Sequence, residues 1–263
     1  GGEHVAADRG CSPPREIVLD LDATDDPLHG HQEGRFFHGY YGNYCYLPLY
    51  IFCGEELLCA KLRPSNMDAS AGALEEIQRI VRRIRARWPE VKITLRADSG
   101  FCREPLMAWC EVEGCAYVFG LAKNSRLLEE LAHELEQAQG LYRQSGQAAR
   151  VFKDFSYRTR ESWSRERRVV GKAEHLDKGA NPRFVVTNLP AAEWDARALY
   201  EDLYCARGNM ENRIKEQQLY LFADRTSTAT LRANQLRLWF SSVAYLLLPL
   251  LPRFTKLPGF TVL

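Results

Sequence analysis

The sequence has 263 residues, a formal net charge of +1 and a hydrophobic content of 46%. This composition is ordinary for a globular chain with a sizeable core, excludes the low-complexity and disordered classes, and does not by itself indicate a nucleic-acid binder. The first residues lack a secretion signal and a starting Met, which suggests a fragment. The apolar stretch at residues 240–251 is too short to cross a bilayer and predicts a buried core helix, so we expect no membrane association.

The cysteine pattern indicates a reducing compartment. Eight cysteines are spread along the chain, and none forms a Cys-x-x-Cys pair. Most of them lie in apolar runs of a chain that is too large to depend on disulfides. We therefore expect buried, reduced thiols in a cytosolic protein and no structural zinc site.

The first half of the chain predicts a β-meander followed by alternating helices and strands. Residues 1–15 are polar and end in two prolines, as in a linker or a frayed terminus. The predicted strands cover residues 17–22, 44–52, 57–62, 91–98 and 116–121. The predicted helices cover residues 74–88, with Asp68 or Ser70 as N-cap, and residues 104–113 and 127–138.

In the second half, the predicted secondary structure changes near residue 150 to short β-prone segments. Short β-prone runs at residues 151–157, 168–173 and 183–187 precede two helices, at 195–214 with a potential break at Gly208 and at 231–248. This order predicts an α/β core interrupted by a β-rich subdomain. The predicted division is a linker (1–15), the first part of the core (16–121), the insertion (122–190) and the C-terminal helical part of the core (191–263).

The predicted insertion is locally basic. Residues 143–183 carry eleven basic and five acidic side chains, an excess of six. Such a stretch could follow DNA phosphates or could be a solvated β-rich surface. Trp163, which lies within it, could stack on an unpaired base or serve as a packing anchor. The sequence leaves both pairs of alternatives open.

Acidic residues lie at two predicted strand ends. Asp20 and Asp22 share one face of the first strand, so two carboxylates project together. Asp98 ends an apolar strand and precedes a turn at Gly100. A carboxylate in that position is a usual place for ligand chemistry in α/β sheets.

A third acidic position lies on a late helix. Spacings of three, four and four place Tyr204, Arg207, Glu211 and Lys215 along one stripe. Such a stripe is either a functional surface or a salt-bridged solvent face. The three acidic features in this order are more specific together than any one of them alone.

Together these motifs resemble the DDE-type transposases of bacterial insertion sequences. The late helix is similar to the branch of that family with a Tyr–Arg–Glu–Lys signature. The resemblance covers roughly residues 16–250. The matching motifs are Asp22-x-Thr24, Arg96-x-Asp98-x-Gly100 and Tyr204-x-x-Arg207-x-x-x-Glu211.

The resemblance implies a fold and a catalytic triad. The fold is α/β, an RNase H-like mixed sheet with flanking helices, interrupted by the β-rich insertion. Asp22, Asp98 and Glu211 would bind two Mg²⁺ ions, for which Mn²⁺ can substitute. These ions would support hydrolysis of DNA at transposon ends and attack of the freed 3′-hydroxyl on target DNA.

The resemblance also implies partners and a location. Tyr204 and Arg207, with the basic residues Arg213 and Lys215 beyond the glutamate, would bind double-stranded DNA at the transposon end. A homodimer is expected in the DNA complex, and the location would be cytoplasmic, at the bacterial nucleoid.

The sequence departs from the family pattern at two places. The lysine of the signature would fall at Gln218, so Lys215 is the candidate replacement. The Asp20 and Asp22 doublet leaves the first metal ligand open, although the Asp-x-Thr match favours Asp22.

The sequence leaves two alternative functions open. A covalent recombinase could use Tyr204 as its nucleophile, but it would need clustered Arg and His partners, and only Arg207 is near in sequence. An inactive relic of a transposase that only binds DNA is the non-enzymatic alternative.

Overall fold

The computed structural model describes residues 13–248, and nine strands in that range form one mixed sheet. The main strands are β1 Glu16–Ala23, β5 Leu49–Cys53, β6 Glu56–Lys61, β7 Lys92–Ala97, β8 Ala116–Leu121, β9 Ala149–Tyr157, β10 Arg167–Leu176, β11 Gly179–Ala180 and β12 Arg183–Thr187. A small second sheet holds β2 Asp26–Pro27, β3 Phe36–His38 and β4 Asn43–Tyr46. The helices are α1 Ala73–Arg87, α2 Glu104–Glu113, α3 Ser125–Glu130, α4 Ala132–Ser145, α5 Ala196–Ala198, α6 Gly208–Leu221 and α7 Leu231–Leu247.

The centre of the large sheet has the order β6-β5-β1-β7-β8. β1 runs antiparallel to β5 and parallel to β7, and β7 runs parallel to β8. Parallel neighbours need crossover connections, which α1 and α2 provide. Counted along the chain, these five strands are ordered 3-2-1-4-5, and the predicted RNase H-like mixed sheet with flanking helices is confirmed.

The β-rich insertion extends the same sheet. β12 pairs antiparallel with β8, β10 pairs with β12, and β9 pairs with β10. The insertion strands therefore cover the edge of β8, which would otherwise present unpaired backbone groups. The predicted limits at residues 122 and 190 stay predictions.

The core is formed by apolar side chains that alternate along the strands and face the helices. Leu19 and Leu21 on β1 are fully buried, as is Ile77 on α1. The start of α1 differs from the prediction, because its N-cap is Gly72 with φ 73° and not Asp68 or Ser70. The carboxylate of Asp68 instead accepts hydrogen bonds from Ser70 and from Arg103.

The prediction of a buried core helix at residues 240–251 is wrong where the structure describes it. Leu238 on α7 is 1% exposed, but Phe240 is 65% and Val243 is 52% exposed. A run of apolar residues covers every face of a helix, and α7 packs only one face on the domain. Residues 249–251, like residues 1–12 of the predicted linker, lie outside the described range.

The structure bears on two further predictions, which concern a membrane-spanning helix and the state of the cysteines. None of their helices is both long and apolar enough to cross a membrane. Seven cysteines in residues 13–248 carry free thiols, and burial raises the pKa of each of them. A raised pKa keeps these thiols protonated and weakly reactive.

Asp26 gives the fold a predicted dependence on pH. Its side chain is buried, with 1% of the residue exposed. Burial, with the nearby charge of Asp224, raises its pKa to about 8. The native state therefore holds a proton that the unfolded chain releases above its ordinary pKa of 3.8, so stability falls as pH rises from there towards 8.

We expect wild type to lose roughly 3 kcal/mol of unfolding free energy between pH 5 and 8 through this group. Over the same pH range the unfolding free energy of the Asp26→Asn protein should fall by roughly 3 kcal/mol less than that of wild type, because the amide does not titrate. Urea unfolding at both pH values measures the difference. Equal losses in the two proteins would show that Asp26 is ionised in the folded state.

Candidate active site

Asp22 and Asp98 meet because their strands are parallel neighbours. Asp22 lies near the carboxyl end of β1, and Asp98 follows the last residue of β7 directly. The Asp98 Oδ1 accepts a hydrogen bond of 2.9 Å from the backbone N–H of Gly100, which orients this side chain. Both carboxylates line one cavity of about 450 Å³, the first cavity.

Glu211 lines the first cavity from a helix rather than from a strand end. It lies in the first turn of α6, and Lys215 lines the same cavity one turn later. The predicted helix 195–214 is irregular ahead of α6, with a π-helical turn at Leu199–Tyr204 and a 3₁₀ turn at Cys205–Arg207. Such irregular turns are frequent at functional sites, and this one precedes the glutamate directly.

The carboxylate of Asp20 has a different environment from that of Asp22, because Arg96 binds it. Arg96 on β7 donates two hydrogen bonds of 2.7 Å to the two Asp20 oxygens. Arg96 also donates to the backbone oxygen of Leu203, at 2.8 Å. Asp20 is 2% exposed and does not line the first cavity. Of the two aspartates, Asp22 alone lines the first cavity.

Arg207 contacts two members of the predicted triad. Its Nη2 lies 2.8 Å from Glu211 Oε1, and its Nη1 lies 3.7 Å from Asp22 Oδ1. Burial raises the pKa of Asp22 to about 7; the guanidinium opposes this shift, and the charges of Asp98 and Glu211 add to it. The cavity thus concentrates negative charge for which Arg207 is a partial countercharge.

The described residues contain no group of three His, Cys, Asp or Glu side chains placed closely enough to hold a metal ion. Asp22, Asp98 and Glu211 nevertheless share the first cavity, and Glu211 is 46% exposed and engaged by Arg207. In chemical identity the three side chains fit Mg²⁺, which prefers hard oxygen ligands and retains several waters. In placement they do not form such a group among the described residues, where Glu211 pairs with Arg207.

Tyr204 packs against a glycine beside Asp98. A Cβ built on Gly120 of β8 would lie 2.7 Å from Tyr204 Oη, 2.9 Å from the Ser99 nitrogen and 3.1 Å from the Asp98 carbonyl carbon. Only a glycine lets these groups meet at the strand end. A glycine inside an apolar strand was the sequence signal for this position, and the sequence analysis missed it.

We expect Gly120→Ala to lower the DNA cleavage that the family resemblance implies by about 10²-fold, because the methyl group must displace Tyr204 or the Asp98–Ser99 backbone by a fraction of an ångström or more. Gly140→Ala is the matched control, since a Cβ there meets nothing within 4 Å. Nicking rates and thermal unfolding of both variants provide the measurement. A Gly120→Ala protein that cuts at the wild-type rate would contradict this account of Tyr204.

The remaining predicted DNA contacts fall in different places. Arg213 turns away from the first cavity and lies 3.8 Å from Glu55. Trp163 is 3% exposed and packs edge-on against Tyr157, so in this structure it is a packing anchor with no free ring face for a base. Gln218, at the signature's lysine position, lines the first cavity beside Lys215.

Comparisons with known proteins identify the sequence family. A family model described as "Transposase DDE domain group 1" matches residues 3–258. No curated protein matches the sequence. Among solved structures, the chain is similar to a piggyBac transposase synaptic complex with hairpin DNA, with a TM-score of 0.43 and 10% identity. The match covers 95% of this chain and 56% of that chain, so this chain spans little more than half the length of the solved one.

Proposed function

The chain belongs to the transposase DDE domain group 1 family, and on that premise we propose that it cuts DNA at the ends of a mobile element and joins the freed 3′-hydroxyl to target DNA. The observation that carries this proposal is the first cavity, where β1, β7 and α6 bring Asp22, Asp98 and Glu211 to one place. The order of these residues in the chain is also that of the family motif.

Asp22, Asp98 and Glu211 would hold two Mg²⁺ ions, or Mn²⁺ in their place. When bound, such a pair supplies an activated water and stabilises charge on the attacking and leaving oxygens of a phosphodiester. Burial, and after it the charges of Asp98 and Glu211, raise the pKa of Asp22, and a bound cation would reduce the repulsion among the three carboxylates.

The cationic residues of the cavity would bind the DNA. Lys215 lines the first cavity from α6, and Arg207 lies at its inner wall with 14% of its side chain exposed. A DNA phosphate would compete with Glu211 for the Arg207 guanidinium, which forms bidentate pairs with phosphates. The expected partners are double-stranded DNA and a second copy of the chain in the DNA complex.

The experiment is cleavage of a supercoiled plasmid that carries both ends of the element. We expect nicks with 3′-hydroxyl groups at the ends in Mg²⁺ or Mn²⁺, no nicks in EDTA, and joined products when target DNA is added. Nicking that persists in EDTA, or no nicking of end-containing plasmid in either metal, would refute the proposal.

The covalent recombinase is disfavoured by the surroundings of Tyr204. Burial raises the pKa of its hydroxyl, although Arg207 opposes the shift, and the hydroxyl packs against Gly120. A nucleophilic tyrosine needs the opposite change. A covalent protein–DNA product in the plasmid assay would favour that alternative, and specific binding with no cleavage would favour an inactive relic.

A further inference from the structure

Six of the thirteen basic side chains at residues 122–190 form ion pairs within the described residues. Arg167 is held by two glutamates, Arg168 pairs with Asp154, and Lys172 pairs with Glu174. Arg150 and Lys153 also lie within ion-pair distance of glutamates. Part of the local excess of positive charge is therefore neutralised within the fold, and the cations without an ion-pair partner are the candidates for binding an external anion.

Two such cations line a second cavity beside the first. This cavity has a volume of about 460 Å³, and its wall includes Asp98 and Arg207, which also line the first cavity. Lys123, from the loop after β8, and Arg183, at the start of β12, complete its rim. Both side chains are exposed, and neither has a hydrogen-bond or ion-pair partner among residues 13–248.

The inner wall of the second cavity offers a further unsatisfied donor. The Nη1 atom of Arg207 is buried and has no hydrogen-bond acceptor in the described residues. The Asp22 Oδ1 that it faces lies 3.7 Å away, beyond hydrogen-bond distance, and buried donors are normally paired, so a bound oxyanion would supply the missing acceptor. Tyr200 and Tyr204 close the cavity behind it with ring centroids 5.5 Å apart. The cavity is thus cationic at its rim, apolar at its back and open to the predicted reaction centre.

We propose that the second cavity receives the DNA strand next to the scissile phosphate, with Lys123 and Arg183 each binding one phosphate of that strand. This inference rests on the proposed function and deepens it. A phosphodiester strand fits because it carries one negative charge per nucleotide, and unpaired Lys and Arg side chains are the usual partners of such phosphates. The insertion then binds one side of this DNA strand through Lys123 and Arg183.

The test is the salt dependence of DNA binding by wild type and by the Lys123→Gln/Arg183→Gln double variant. Binding of an end-containing duplex is measured in EDTA, which prevents cleavage, over a series of salt concentrations. We expect the slope of log K against log salt to fall in magnitude by about 1.8, since each lost phosphate contact removes about 0.9. The Arg160→Gln/Lys178→Gln variant removes the same charge from exposed positions outside the cavity and should keep the wild-type slope.

The outcomes separate this inference from the proposed function. Wild type that nicks end-containing plasmid, with equal slopes for all three proteins, overturns the role of Lys123 and Arg183 alone. Equal decreases in the salt slope of the two double variants also overturn it, because the slope would then depend only on the net charge of the protein. Wild type that neither binds nor nicks the ends overturns both proposals. Thermal unfolding of the variants checks that each remains folded.

Discussion

Asp98→Asn should lower DNA cleavage on the order of 10³-fold or more while leaving the binding of element ends within a few fold of wild type. The amide removes one negative charge from the centre of the triad, so divalent cations lose an oxygen ligand of full charge. The side-chain oxygen that accepts from Gly100 at 2.9 Å is retained in asparagine, and the turn after β7 should therefore persist.

The measurement combines plasmid nicking in Mg²⁺ with end binding in EDTA. Asp177→Asn is the matched control, because it makes the same chemical change at an exposed position outside both cavities. Nicking by the Asp98→Asn protein at the wild-type rate would remove Asp98 from the catalytic site.

Asp20→Ala is expected to lower the free energy of unfolding by about 3–5 kcal/mol, since it leaves the Arg96 guanidinium unpaired in a buried position. The side chains of Asp20 and Arg96 are 3% and 11% exposed, and both Asp20 oxygens accept from Arg96. Denaturant unfolding provides the value. A smaller loss is expected for the Asp20→Leu/Arg96→Leu pair, which leaves no charge behind.

Asp68→Ala is the control for this second prediction. It also breaks an Asp–Arg pair, but the two side chains, Asp68 and Arg103, are 45% and 43% exposed. Exposed pairs of this kind contribute about 0–1 kcal/mol. If Asp20→Ala costs no more than Asp68→Ala, the buried pair does not stabilise the contact between β1 and β7.

The sequence predicted the architecture well where periodicity carries the information. Alternation in β1 and β7, with the helices between strands, was sufficient to predict an α/β core, and the mixed sheet was what the family resemblance implied. The attachment of β12 to β8 was not predictable, because strand pairing depends on contacts distant in sequence. The exposure of Phe240 was missed for a related reason, since apolarity alone does not say which helix faces find a partner.

The candidate site, like the fold, could be predicted from sequence only in part. The family resemblance named Asp22, Asp98 and Glu211 as a set, and all three line the first cavity. Spacing could not show that Asp20 is paired with Arg96, or that Arg207 lies between Asp22 and Glu211. These contacts arise from side chains more than 70 residues apart or from an irregular helix start, neither of which a local pattern encodes. Trp163 carried no local signal that would distinguish a buried anchor from an exposed stacking surface.

The central claim is that Asp22, Asp98 and Glu211 together bind divalent cations when DNA is present. The most direct measurement is anomalous diffraction from crystals of the chain with Mn²⁺ and an element-end duplex. Manganese peaks in contact with all three carboxylates, with Glu211 no longer paired to Arg207, are the predicted result. Peaks that avoid Glu211, or a Glu211–Arg207 pair that persists beside bound DNA and metal, would contradict it.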